Sequence, residues 1–122
     1  MIDQYPNINT ANLLGRTPLH NVALKTNYSM QALDINILLL EFLLNPPNDQ
    51  IANTDARTMG GEDPLISAVM SGKREIVEIM LNSNRFGLNA CNVFGETALH
   101  IATQYSPNCV DILLGAEYWL EN

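Results

Sequence analysis

Three blocks of this 122-residue chain share one layout: Gly15-Arg16-Thr17-Pro18-Leu19-His20, Gly61-Glu62-Asp63-Pro64-Leu65-Ile66 and Gly95-Glu96-Thr97-Ala98-Leu99-His100. Their glycines stand 46 and then 34 residues apart. A block that returns at a period of about 33 residues belongs to a stacked array of turn-and-two-helix units, not to a single closed core.

Each shared position has a physical task. The glycine gives the turn a positive φ that residues carrying a Cβ resist. Thr17 and Thr97 are placed to cap the helix that comes next, and Pro18 stands in its first turn, where a missing N–H costs nothing. Asp63 is an equally good cap before Pro64, so the second block keeps the chemistry and changes the letter.

A short first helix succeeds each turn, with Leu19, Val22 and Ala23, then Leu65, Ala68 and Val69, then Leu99 and Ala102 on one side. A second helix carries Leu39, Leu40, Phe42, Leu43 and Leu44 in the first unit, and Ile76, Val77, Ile79, Met80 and Leu81 in the second. Val110, Ile112, Leu113 and Leu114 take these places in the third. Glu41, Glu78 and Asp111 break the three runs at the same point, as a helix with one solvated face requires. Distance from the turn glycine to this helix assigns most of the first unit's extra residues to 24–36, an enlarged loop or an extra helical turn. The remainder falls near Pro46-Pro47-Asn48-Asp49, where consecutive prolines stop a helix.

Spelled in this way, the sequence resembles the ankyrin-repeat family, whose unit reads roughly G-x-T-P-L-H-x-A, then a second helix ending in two leucines, then a hairpin arm. Gly15 to Ala23 and Gly95 to Ala102 carry the resemblance most closely, and it spans residues 8 to about 116. It implies an all-α solenoid of stacked helix-turn-helix units with short hairpin loops, forming one domain. Residues 1–11 would be the arm of a partial preceding repeat, 12–57 the first repeat with its insertion, 58–91 the second, and 92–122 the third with a C-terminal cap. Ile8-Asn9-Thr10-Ala11-Asn12 parallels Leu88-Asn89-Ala90-Cys91-Asn92, which is the basis for reading an earlier arm.

Departures from the pattern set further expectations. Ile66 stands where the family has histidine, so the bond that this histidine makes to the neighbouring loop is lost and the middle unit is expected to be looser. Gly115-Ala116-Glu117-Tyr118-Trp119-Leu120 is not a normal arm; it reads as an aromatic segment closing the last unit, with Trp119 as a partner contact the sharper alternative. An uncapped array end exposes apolar surface, a route to self-association.

Thirteen acidic against six basic side chains give a net charge of -7, which removes the usual electrostatic basis for binding nucleic acid or an anionic membrane surface. The longest apolar run, 35–44, is broken by Asn36 and Glu41 and is about half the length of a membrane helix. Residues 1–12 lack the basic and apolar segments of a secretory signal. Cys91 and Cys109 are too few for a disulfide framework and form no metal-ligand spacing with the two histidines. Free thiols in a reducing, intracellular and cytoplasmic setting are expected, within a host cell if the chain is an effector.

His20 and His100 occupy one repeat position, where a buried imidazole bonded to backbone is the plain reading, and no histidine is left for a catalytic triad. The serines lie in no nucleophile-elbow pattern, and Gly60-Gly61 lacks the lysine and hydroxyl of a phosphate loop. The sequence therefore predicts no enzymatic role, no cofactor and no metal.

The resemblance instead implies a partner held on the concave face, made by hairpin tips and the exposed side of the first helices. By position these residues are Leu13, Leu14, Arg16, Leu24 and Lys25; then Arg57, Met59, Glu62, Met70 and Ser71; then Val93, Phe94, Glu96, Gln104 and Tyr105. The set is apolar for hairpin tips, and aromatic and methionine side chains are types that enrich interface cores. Arg16, Lys25 and Arg57 are half of the basic residues, so a partner protein with apolar anchors and a few carboxylates is the expected fit. An intracellular protein-interaction module is the leading expectation. The alternatives are the targeting portion of a larger enzyme or of a bacterial or viral effector, and a dedicated inhibitor or immunity-type protein that blocks one enzyme.

Overall fold

The turn glycines adopt the left-handed backbone that the repeated block demands, with φ of 79° at Gly15, 80° at Gly61 and 76° at Gly95. A computed structural model describes residues 6–24 and 30–121, with their side chains apart from those of 30–34 and 116–121. Six α-helices run through these residues: α1 (Pro18–Leu24), α2 (Met30–Leu44), α3 (Pro64–Met70), α4 (Arg74–Asn82), α5 (Ala98–Tyr105) and α6 (Val110–Glu121). A 3-10 turn, Pro107–Cys109, leads into α6. Among the described residues β-pairing is limited to one isolated bridge, Cys91 with Thr97.

Each turn leads to a capped helix start, as the sequence predicts. Thr97 caps α5, its hydroxyl accepting from the His100 N–H while the His100 ring accepts from the Thr97 N–H. Thr17 and His20 repeat the second of these bonds ahead of α1, at 3.1 Å. Asp63 caps α3, with one carboxylate oxygen accepting from the Ile66 N–H at 2.8 Å and Pro64 in the first turn.

The other Asp63 oxygen is buried with no hydrogen-bond partner, and burial raises its carboxyl above the ordinary aspartate value of 3.8. A raised folded pKa means that this group's contribution to stability is greatest below 3.8 and is lost as pH rises through the folded value. Asp63→Asn keeps the cap and is expected to gain on the wild type over that rise. Asp63→Ala removes the cap and is expected to cost about 1 kcal/mol at neutral pH. Urea unfolding of both variants at acid and neutral pH checks the pair, and a pH-independent gap between wild type and Asp63→Asn would sink the account.

The helices form two layers. α1, α3 and α5 pack side by side in one, α2, α4 and α6 in the other, and each short helix also packs on the longer helix next in the chain. Small or slim side chains let the short helices approach: Ala23, Ala68 and Ala102 are fully buried between the layers. Leu40, Leu65, Ile76, Val77, Met80, Ile101 and Leu113 fill the rest of the core.

Four sequence expectations need correction or refinement. Part of the expected insertion at 24–36 is helical: Met30 to Asn36 open α2, which has 15 residues against 9 in α4. Residues 25–29, with Lys25 among them, lie outside the described residues. Leu39 and Phe42, expected in the core by analogy with α4, are exposed, because no helix packs on that side of α2 among the described residues. His100, expected to be buried like His20, is exposed, because no further hairpin covers the ring among the described residues.

The middle unit shows no gap at Ile66, which is 1% exposed; every residue of α3 from Pro64 to Val69 is buried. An apolar side chain fills the place of the histidine, and burial stands in for the missing bond. At the other end the backbone after Gly115 continues α6 to Glu121 instead of forming an arm. The Trp119 side chain lies outside those described.

Candidate protein-binding face

Three hairpins of one construction precede the short helices. In each, the residue three before the glycine closes the turn: Gly15 N–H donates to Asn12 C=O at 2.9 Å, Gly61 to Thr58 at 2.9 Å and Gly95 to Asn92 at 3.0 Å. The Asn12 and Asn92 side chains accept from two backbone N–H groups each, of Leu14 and Arg16 and of Phe94 and Glu96. Thr58 does part of this with its hydroxyl, accepting from the Glu62 N–H.

Neighbouring hairpins are tied backbone to backbone. Met59 N–H donates to Leu14 C=O at 2.9 Å, and Val93 N–H to Gly60 C=O at 3.1 Å. His20 adds a second tie. Its Nδ1 accepts from Thr17, and its Nε2–H donates to the Glu62 carbonyl of the next hairpin at 2.9 Å. The ring is fully buried, and desolvation lowers its pKa, so the neutral tautomer that makes all these bonds is the favoured one.

With the joints made by backbone and one buried imidazole, the tip side chains point outward. Leu13 is 97% and Phe94 82% exposed, and Leu14, Met59 and Val93 are exposed beside them. Between the first two hairpins and the short helices behind them lies a groove of about 260 Å³. Leu14, Arg16, Leu24, Met59, Glu62 and Met70 line it, together with Thr58, Gly60 and Ser67. The structure thus brings together most of the positions predicted from the first two units. Ser71, half-buried at the end of α3, stands outside the groove lining.

Val93, Phe94, Glu96, Gln104 and Tyr105 belong to the third hairpin and α5, beyond this groove. All but the half-buried Glu96 are exposed.

The charged residues divide by what they already hold. Arg57, predicted as a contact, is exposed but donates to the Cys91 carbonyl at 2.7 Å, so it works as a strut between hairpins. Glu62 accepts from the Thr58 hydroxyl, and Glu96 accepts from the Asn92 amide at 3.1 Å. Arg16 makes no side-chain hydrogen bond or ion pair among the described residues, and its guanidinium is the open charge of the groove. Elsewhere Arg74 is engaged in a two-pronged bond to Asp111, which holds the Asp111 carboxyl below the usual range, and in an ion pair with Glu78. Cys91 and Cys109 are free thiols, the first exposed, the second buried with its pKa raised by desolvation.

Sequence reasoning missed one exposed surface. Ile35, Leu38, Leu39 and Phe42 form an exposed apolar stripe along α2, between 41% and 60% accessible. Their i, i+3, i+4, i+7 spacing is visible in the sequence, but there they are split, with Leu39 and Phe42 on the apolar side of the second helix and Ile35 in the insertion. No helix among the described residues is long and apolar enough to cross a membrane.

No curated protein matches the sequence. A family model described as ankyrin repeats (3 copies) matches residues 29–122, well over half of the chain. The match begins after α1, yet the first hairpin and α1 share their turn, cap and joint with the units inside the matched span. The repeated hairpins, the two layers of helices and this match agree, and the chain belongs to the ankyrin-repeat family, whose repeats generally serve as protein–protein interaction modules.

Proposed function

We propose that this chain binds a partner protein in the groove between its first two hairpins, with the contact continuing over the third hairpin tip. The observation that carries this reading is the pairing of exposed apolar side chains with a frame that fixes them. Leu14, Met59 and Met70 surround an unpaired guanidinium, on backbone held by two inter-hairpin bonds and a buried histidine. Large apolar side chains preset on rigid backbone lose little entropy on binding, which favours their use as anchors. The complementary ligand is a protein segment with an apolar side chain for the groove and a carboxylate for Arg16. No cofactor enters this reading, and the net charge of -7 argues against a nucleic-acid ligand.

The test begins with affinity capture from the native cell and identification of the captured protein, and then titrates that protein calorimetrically into variants. Met59→Ala and Arg16→Ala are each expected to weaken binding about tenfold, equivalent to about 1.4 kcal/mol. The Arg16 effect should shrink as salt is raised. Unchanged affinity for both, with helical circular dichroism intact, would move the site away from the groove. Phe94→Ala and Tyr105→Ala then measure how far the contact extends over the third unit.

A further inference from the structure

The two outer faces of the array have complementary halves of the joint that is made twice inside it. On the second helices, Leu39 and Leu43 correspond to Ile76 and Met80 of α4 and to Cys109 and Leu113 of the third unit, all of which are buried. In the first unit Leu39 is exposed and Leu43 only half-buried. Leu40 and Leu44 correspond to Val77 and Leu81 and to Val110 and Leu114, and here the order reverses. Both are buried in the first unit, whereas Leu114 is half exposed in the third. The short helices agree, for Asn21 is exposed where Ser67 and Ile101 are buried, and His100 and Thr103 are exposed where His20 and Ala23 are buried.

The hairpins carry the same asymmetry. Inside the chain each joint pairs the carbonyl of the residue before a turn glycine with the N–H of the residue two before the next one. In the first joint His20 also reaches the carbonyl just after the next glycine, whereas Ile66 holds that position in the second. At the first hairpin the equivalent donor and acceptor are the Leu13 N–H and the Arg16 carbonyl; at the third, the Phe94 carbonyl and His100 Nε2. Among the described residues Leu13 N–H and His100 Nε2 make no hydrogen bond. Gly15 and Gly61 are closed over by the next hairpin, with backbone at 3.1 Å and 2.8 Å from where a Cβ would stand, while nothing lies within 4 Å of that point at Gly95.

We propose that a second copy of this chain stacks head to tail on the first, with Leu13 N–H of one copy donating to Phe94 C=O of the other and His100 Nε2 donating to Arg16 C=O. Leu39, at the register position of the buried Ile76 and Cys109, is thereby covered by the exposed side of α5 and α6, with Phe42 at the margin of the joint as the half-buried Ile79 and Ile112 are. The joint goes beyond the partner groove and uses different side chains. A second copy fits because the joint continues an interface already formed twice within the array, in the same register. Head-to-tail contacts are heterologous and do not close at two copies, so assembly continues as concentration rises.

Sedimentation equilibrium of the full chain over a wide concentration range tests this. The wild type is expected to pass the mass of two chains without a plateau. Leu39→Lys/Phe42→Lys blocks one face and Leu114→Lys the other, both reducing the net negative charge, so greater repulsion cannot explain a loss of assembly. Each is expected to stay at the mass of one chain alone, and their equimolar mixture to reach two chains and stop, since one intact joint remains.

Gly95→Ala is a second block on the Leu114 side, because its Cβ occupies the space that the incoming Leu13 N–H needs. Circular dichroism of each variant confirms that the fold is retained. A wild type that stays at one chain throughout, or a mixture that does, overturns the proposal. So does continued assembly of both Leu114→Lys and Gly95→Ala, which would place α2 against α2 instead. Met59→Ala, which alters only the groove, is expected to assemble like the wild type, and its failure to do so would shift the contact to the hairpin tips.

Discussion

Gly61→Ala is expected to destabilise the fold by about 3 kcal/mol, several times the effect of the same substitution at Gly95. The two glycines have nearly the same φ, 80° and 76°. Both therefore carry a left-handed cost of about 1 kcal/mol when a Cβ is added. Their neighbours separate them. A Cβ on Gly61 would stand 2.8 Å from the Val93 nitrogen and 3.1 Å from the Asn92 carbonyl carbon, whereas one on Gly95 meets nothing within 4 Å.

Val93 cannot simply retreat, because its N–H is the donor that ties the third hairpin to Gly60. Relief of the clash breaks the joint. Urea unfolding at low protein concentration measures both variants on the single chain, and Gly15→Ala, with backbone at 3.1 Å, should fall between them. Equal losses at Gly61 and Gly95 would mean that the hairpins are not packed as described.

His20→Ala should cost a further large amount, about 3 kcal/mol, from the lost ring bonds and the cavity left in a fully buried site. The equivalent His100→Ala removes one exposed capping contact and should cost about 1 kcal/mol or less. The pH dependence distinguishes the two residues more sharply than the magnitude does. Burial holds the folded pKa of His20 below its ordinary value of 6.5. A depressed value means that the associated stability is fully present above 6.5 and is lost as pH falls toward the folded pKa.

Protonation also turns Nδ1 from an acceptor for the Thr17 N–H into a donor facing that N–H. The wild type should therefore lose ground relative to His20→Ala as the buffer is taken from about pH 7.5 to about pH 5. A gap between them that stays constant over this range would show that the imidazole is not buried neutral in the joint.

Much of this architecture could be read from the residues, because its hairpins are specified locally. Gly15, Gly61 and Gly95 fix the turns, and Thr17, Asp63 and Thr97 cap the short helices behind them. Even the Thr-to-Asp change in the middle unit was legible as chemistry, since an N-cap asks for a short side-chain acceptor and not for one letter. Burial was harder to read, because it depends on which units stand on either side. Leu39 and Phe42 carry the same apolar pattern as Ile76 and Ile79 but have no helix packed over them among the described residues.

His100 matches His20 letter for letter and lacks only the carbonyl of a next hairpin. At the candidate site, exposure of Leu13, Met59 and Phe94 agreed with their place at hairpin tips. The commitment of Arg57 to the Cys91 carbonyl could not be read, because the bond spans two hairpins and has no signature in the local sequence. Ile66 shows the limit from the other side: a lost hydrogen bond was visible, but the apolar packing that replaces it was not.

The joint between hairpins runs from main chain to main chain, Leu14 to Met59 and Gly60 to Val93. Every residue other than proline offers the same N–H there, and any residue offers the carbonyl. The side chains at Leu14, Met59 and Val93 are thus released from structural duty by the very bonds that hold their backbones in place. Mutation can rewrite the binding surface one tip at a time while the frame stays in register, so a lineage carrying this array can change what it binds without first passing through an unfolded ancestor.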